Sequence, residues 1–155
     1  MRWRTLDGAA PRVIAHRGAS GPRPEHTLGA YELALEQGAD IVEPDLVPSS
    51  DGVLFARHDA GLARSTDIAK HAEFAAQRED GDWPCDRFLA EEIDRLGAIQ
   101  PFDGRSADFD GRWSPPRWNA VLEWAREQSR ARGGRVLLYP EIKLPELFAA
   151  RGVDP

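Results

Sequence analysis

Cysteine is nearly missing from this chain. Cys85 stands alone among 155 residues, which excludes an internal disulfide and any multi-cysteine zinc site. Lysine is almost as scarce, with Lys70 and Lys143 set against 18 arginines, a bias that reads as genome composition rather than function. No stretch approaches the roughly 18 apolar residues of a membrane span. The opening Met1-Arg2-Trp3-Arg4 carries charge with no apolar run behind it, so no signal peptide is expected and the cytoplasm is the expected compartment. Positive charge is also in deficit: 26 acidic against 20 basic residues leave a net charge of -6. The resulting pI near 5.2 argues against nucleic acid as the main ligand. No internal repeat and no low-complexity tract is present. What remains is the composition of a globular chain, 41% hydrophobic and 8% aromatic, long enough for about one domain with a sizeable core.

The pattern along the chain alternates. Arg12-Val13-Ile14-Ala15-His16 is an apolar run that reads as a buried strand ending in the loop Arg17-Gly18. Residues 18–24 are rich in breakers. Thr27 is positioned to cap a helix through Leu28, Tyr31 and Leu35 that stops at Gly38. Asp40 to Val47 reads as a second strand. Ser50-Asp51-Gly52 is a turn, and Val53 to His58 an added strand that closes a hairpin. Residues 59–113 are polar, with scattered breakers, and read as an insertion with little regular structure. Ser114-Pro115-Pro116 looks like a helix start, with Trp118, Val121, Leu122 and Ala125 on the buried face. Gly133-Gly134 ends that helix, and Arg135 to Lys143 reads as the third main strand. Strands alternating with helices predict a parallel sheet of βα units. Ligands of such sheets bind at the carboxyl ends of strands, and that is where the polar residues fall.

Glu43 and Asp45 stand two apart on one strand and so share a face. Two carboxylates there repel unless a cation lies between them, and oxygen donors suit hard Ca²⁺ or Mg²⁺. An E-x-D strand facing solvent is the plainer reading, but apolar Ile41, Val42, Leu46 and Val47 surround this one. Glu141, at the end of another strand, is a third candidate ligand. His16 and His58 both follow apolar strands and could form a general acid–base pair. Arg17 and Lys143 could hold an anion, Arg17 through a bidentate fork. His26, at the helix start, reads only as a local hydrogen-bonding residue. His71 receives no role, and Cys85 has no activating neighbour in the sequence.

The joint pattern is more specific than its parts. His16-Arg17-Gly18, Pro24-Glu25-His26-Thr27, Glu43-Pro44-Asp45, His58-Asp59 and Glu141-Ile142-Lys143 follow one another in order. Together with the strings IAHRGASG, PEHTL, RSTD, AIQPFDGRSADFDG and YPEIK, they resemble the glycerophosphodiester phosphodiesterase family in its periplasmic-type bacterial branch. The resemblance covers about residues 12 to 145. It implies an α/β fold of TIM (β/α)8-barrel type and a hydrolase that needs a divalent cation, Ca²⁺ first and Mg²⁺ as the alternative. By motif, Glu43, Asp45 and Glu141 would hold the metal and His16 and His58 would be the acid–base pair. Arg17, Glu25 and Lys143 would position phosphate. The substrate would be a small glycerophosphodiester, cleaved to sn-glycerol 3-phosphate and an alcohol in phospholipid-derived metabolism. The attack would come from the glycerol hydroxyl beside the phosphate, giving a cyclic phosphate that water opens. The same resemblance makes the periplasm the alternative compartment.

Length sets the competing expectation. A TIM barrel takes roughly 250 residues, whereas this chain supplies about three main strands plus the insertion at 59–113. Residues 1–155 are therefore expected to form a partial phosphodiesterase domain. An incomplete barrel exposes a sheet edge and a sheet face that a missing half or self-association would cover. The alternative function is an inactive remnant that binds metal or phosphate at most.

Overall fold

The computed structural model describes residues 4–153; Met1-Arg2-Trp3, used in the signal-peptide reading, lie outside them. A βαβ unit opens the fold: β1 (Ile14–His16), α1 (Leu28–Glu36) and β2 (Ile41–Glu43). The two strands run parallel with Ile14 opposite Ile41 and His16 opposite Glu43. Local chemistry sets the limits of α1. Thr27 Oγ1 accepts the Ala30 N–H at 3.1 Å, satisfying one of the free donors of the first turn. Gly38, at φ 91°, then takes the chain out of the helix. The helix buries Tyr31 and Leu35 in a cluster with Val42, Leu46, Val121 and Trp124.

The next two runs differ from expectation. Residues 40–47 and 135–143 read as single strands, but each is broken at a proline. After β2 comes Pro44 and then β3 (Asp45–Pro48); after β5 (Leu137–Leu138) come Tyr139-Pro140 and then β6 (Glu141–Ile142). With β4 (Leu54–Ala56), the chain forms two small sheets, in the orders β1-β2-β5 and β4-β3-β6. A proline cannot donate to a ladder. The register is nonetheless the same on both sides of the break, Val42 opposite Leu138 and Asp45 opposite Glu141. Pro44 and Pro140 therefore stand opposite each other and both lines of chain bend at one level. Carbonyls carry the connection through: Val42 O, Pro44 O and Leu46 O accept from Tyr139, Glu141 and Lys143 N–H groups at 2.9 to 3.0 Å.

β4 (Leu54–Ala56) pairs antiparallel with β3, as the hairpin reading expected. Helix α3 (Trp118–Arg132) starts later than expected. Pro115-Pro116 disfavours helical backbone in the residue before each proline, and the Pro116 carbonyl is occupied by the Ala56 N–H at 2.8 Å. Ser114 caps nothing; its hydroxyl donates to Asp94 O. The buried face of α3 carries Val121 and Ala125 as expected, with Trp118 packed against the same cluster, but it adds Trp124 and leaves Leu122 41% exposed. Gly133, at φ 63°, closes the helix. A short α4 (Pro145–Ala150) follows β6.

Residues 59–113 hold no strand segment, only isolated bridges, three 3-10 turns and the single-turn helix α2 (Ala90–Ile93). They are nevertheless densely packed. Leu62, Ile68, Phe74, Phe88, Ile93 and Leu96 form one core with Val47 and Phe55 of the hairpin and Phe148 of α4. Cys85 lies in that core, where burial pushes its thiol up to about 11. Ile14, Leu137, Tyr139 and Ile142, in or beside the strands, are exposed.

Candidate active site

Register brings the polar strand ends together. His16 ends β1 opposite Glu43, which ends β2; Asp45 opens β3 opposite Glu141, which opens β6. One potential ligand atom each from His16, Glu43 and Asp45 lie within 4.8 Å of one another. Asp45 is fully buried. Its Oδ2 is bound by His26 Nε2 at 3.1 Å, with Arg17 Nε 3.6 Å away. Among the described residues its Oδ1 has no hydrogen-bond partner, and Lys143 Nζ stands 3.6 Å away. Burial works to raise this carboxyl, but the hydrogen bond from His26 and the charges of Lys143 and Arg17 hold it below the usual range.

His26 has a role that the sequence reading missed. Burial pushes its imidazole below the ordinary value, so it is neutral near pH 7. Tyr31 is buried too, which pushes its phenol well up, so the hydroxyl keeps its proton. Tyr31 therefore donates to His26 Nδ1 across 3.0 Å, and Nε2–H is left to donate to Asp45. The only sequence signal was His26's place between Glu25 and the helix cap, which says nothing about a carboxylate 19 residues further on.

The loop after β1 is tightly wound. Arg17 and His26 both have positive φ, 64° and 59°, a conformation rare in residues with a side chain and enriched at functional sites. Gly18 allows the winding, since a Cβ there would strike the backbone of Ala30. The turn lets Arg17 Nη1 donate to Glu25 Oε2 at 3.0 Å, with both side chains largely buried. His16, Arg17, Ser20, Glu25, Phe102 and Arg105 line a cleft of about 180 Å³. Phe102 and Arg105 come from the motif in 59–113 and had been given no individual role.

The other predicted residues stand as follows. His58 Nδ1 lies 2.7 Å from Asp59 Oδ1. Burial would raise the Asp59 carboxyl, but His58 and the Arg64 and Arg57 charges hold it low. An ionised Asp59 makes Nδ1 the donor and leaves His58 Nε2 free. Glu141 is half exposed and pairs with Lys143 Nζ at 2.9 Å, outside the three-residue cluster. Lys143 thus bridges Glu141 and Asp45. Two carboxylates, Glu43 and Asp45, with a buried carboxylate oxygen that no described residue satisfies, fit a divalent cation.

Parallel βα units with their polar groups at the strand ends place this chain in the α/β class. The comparison with known proteins narrows that class to one family. The sequence model described as the glycerophosphoryl diester phosphodiesterase family matches residues 16–145, and the chain belongs to that family. It is 36% identical over 149 residues to a glycerophosphodiester phosphodiesterase of Arabidopsis thaliana, covering 90% of this chain and 39% of the relative. A glycerophosphodiester phosphodiesterase of Haemophilus influenzae is also 36% identical, over 92% of this chain and 42% of its own length. Among solved structures, the glycerophosphodiester phosphodiesterase of Agrobacterium tumefaciens matches with a TM-score of 0.63 and 37% identity, over 90% of this chain and 51% of that one. An Oleispira antarctica phosphodiesterase in complex with the product sn-glycerol-3-phosphate matches with a TM-score of 0.63 and 28% identity, over 89% and 47%. The chain thus spans about two fifths of these curated relatives and about half of the solved ones.

Proposed function

We propose that this site cleaves glycerophosphodiesters to sn-glycerol 3-phosphate and an alcohol, with a divalent cation held by Glu43, Asp45 and Glu141. The observation that carries the reading is the buried, unpartnered Asp45 Oδ1 beside Glu43. Carboxylate oxygens suit Ca²⁺ first and Mg²⁺ as the alternative. Bound there, the cation would neutralise charge that grows on the phosphoryl oxygens.

The chain's own residues divide the remaining work. Arg17, kept in place by Glu25, offers its guanidinium fork to the phosphate, and Lys143 adds a second positive charge. His58, with Nδ1–H held by Asp59, presents Nε2 for proton transfer, and His16 is its partner. One imidazole takes the proton of the glycerol hydroxyl as its oxygen attacks phosphorus. The other returns a proton to the departing alcohol oxygen. Water then opens the cyclic phosphate with the two roles exchanged. An intramolecular attack of this kind gains from high effective molarity. The substrate class ties the reaction to the breakdown of phospholipid-derived diesters.

The test is glycerol 3-phosphate release from glycerophosphocholine by the purified chain with Ca²⁺ or Mg²⁺. Turnover that disappears with chelator and in Glu43→Gln supports the reading. Cation binding without turnover would leave the alternative, a module that binds metal or phosphate only.

A further inference from the structure

The motif AIQPFDGRSADFDG does more than close one side of the cleft. Its segment is locked to the loop that follows His16-Arg17. Gln100 Nε2 reaches the carbonyls of Ser20, Gly21 and Arg23 at 3.2 to 3.4 Å, and Arg105 Nη1 donates to Ser20 O at 2.9 Å. Behind them the Arg23 guanidinium lies 5.6 Å from both the Phe109 and Trp113 rings. These anchors hold Phe102 and Arg105 in the lining of the cleft that His16 and Arg17 share.

The charges of that region are unevenly matched. Arg17 has Glu25 and Asp45 beside it. Lys143 has Asp45 and Glu141. Arg64, 4.9 Å from the Phe102 ring centre, has Asp59 at 3.6 Å. Arg105, 4.2 Å from the same ring, makes no ion pair with a carboxylate among the described residues. The Phe102 ring is therefore already engaged by two guanidinium groups, with which a quaternary ammonium would have to compete. A diester's own phosphate is matched by Arg17 and the cation site. Whatever alcohol substituent extends toward Phe102 meets an uncompensated guanidinium.

Resting on the reading under Proposed function, we propose that Arg105 makes this site select diesters whose alcohol carries negative charge of its own over those whose alcohol is cationic. A second phosphodiester or a carboxylate accepts the spare N–H donors of Arg105. A choline group meets a like charge at the same place.

The experiment compares kcat/KM of the purified chain, with Ca²⁺ or Mg²⁺ present, on 1,3-bis(glycerophospho)glycerol and on glycerophosphocholine. Wild type is expected to favour the anionic diester by about three- to tenfold, the range of a partly solvated charge pair, with the preference shrinking as salt is raised. Arg105→Gln should bring the ratio to near one, and Arg105→Lys should keep most of it. Turnover of both diesters with a ratio that Arg105→Gln leaves unchanged overturns the inference alone. Turnover of neither by the wild type removes the reading it rests on, and the inference with it.

Discussion

Asp45 is a carboxylate with no solvent exposure and an incomplete set of partners. One oxygen is held by His26, and His26 is held in turn by Tyr31. This relay fixes the carboxylate plane and so decides where the free Oδ1 points. Groups that orient a metal ligand in this way typically contribute 10- to 100-fold to affinity. His26→Ala is accordingly expected to weaken Ca²⁺ binding by about 10- to 100-fold, measured by isothermal titration calorimetry. His26→Gln, whose side-chain amide can donate from a similar place, should recover part of that loss. If the alanine variant lost stability while binding Ca²⁺ as tightly as the wild type, His26 would be a packing residue with no influence on the ligand.

At the scale of elements, helix α1 is fitted to its neighbour by the absence of one atom. A Cβ on Gly29 would fall inside contact distance of the Trp113 ring. Replacing glycine by alanine within a helix normally stabilises by up to about 1 kcal/mol. Here the ring stacks on Phe109 at 5.8 Å and cannot yield without moving the segment anchored on Arg23. Overpacking typically costs about 1–3 kcal/mol, so the clash should outweigh the propensity gain. Gly29→Ala is expected to lower the urea midpoint, with a change in tryptophan fluorescence; a higher midpoint would show that the ring is free to shift. The same elements show what was legible in the sequence. The Thr27 cap, the turn into β4 and the Gly133 stop each depend on a few adjacent residues, and each was readable. The strand breaks at Pro44 and Pro140 depend on two prolines 96 positions apart sharing a register, which no local window contains. The core within 59–113 is built from 3-10 turns and loops, so its buried residues follow no helical or strand period. The strand-end residues His16, Glu43, Asp45 and Glu141 were legible as candidates because strand ends are where such folds present their chemistry. His26 was not, since its target lies across the fold.

The whole molecule is joined at the cation site. Glu43 belongs to one sheet and Asp45 and Glu141 to the other, so the site spans the level at which both lines of chain bend. Without a cation, two carboxylates face each other there and Asp45 Oδ1 has no donor, a costly state for a buried polar atom. A ligand that binds only the folded chain stabilises it by RT ln(1 + [L]/Kd), about 2.7 kcal/mol at a concentration of 100 Kd. For a chain of 155 residues, each 1 kcal/mol shifts Tm by about 2–4 °C. Saturating Ca²⁺ is therefore expected to raise the melting temperature by about 5–11 °C over the chelated protein, read by calorimetry or dye fluorescence. Asp45→Asn and Glu43→Gln should each abolish most of the rise, because each removes a charged ligand. Arg105→Gln should leave the rise in place, because that residue lies in the cleft lining and not in the cluster. A Tm that does not respond to Ca²⁺ or Mg²⁺ would mean that the two sheets hold their carboxylates together without an ion, and the cation site would have to be abandoned.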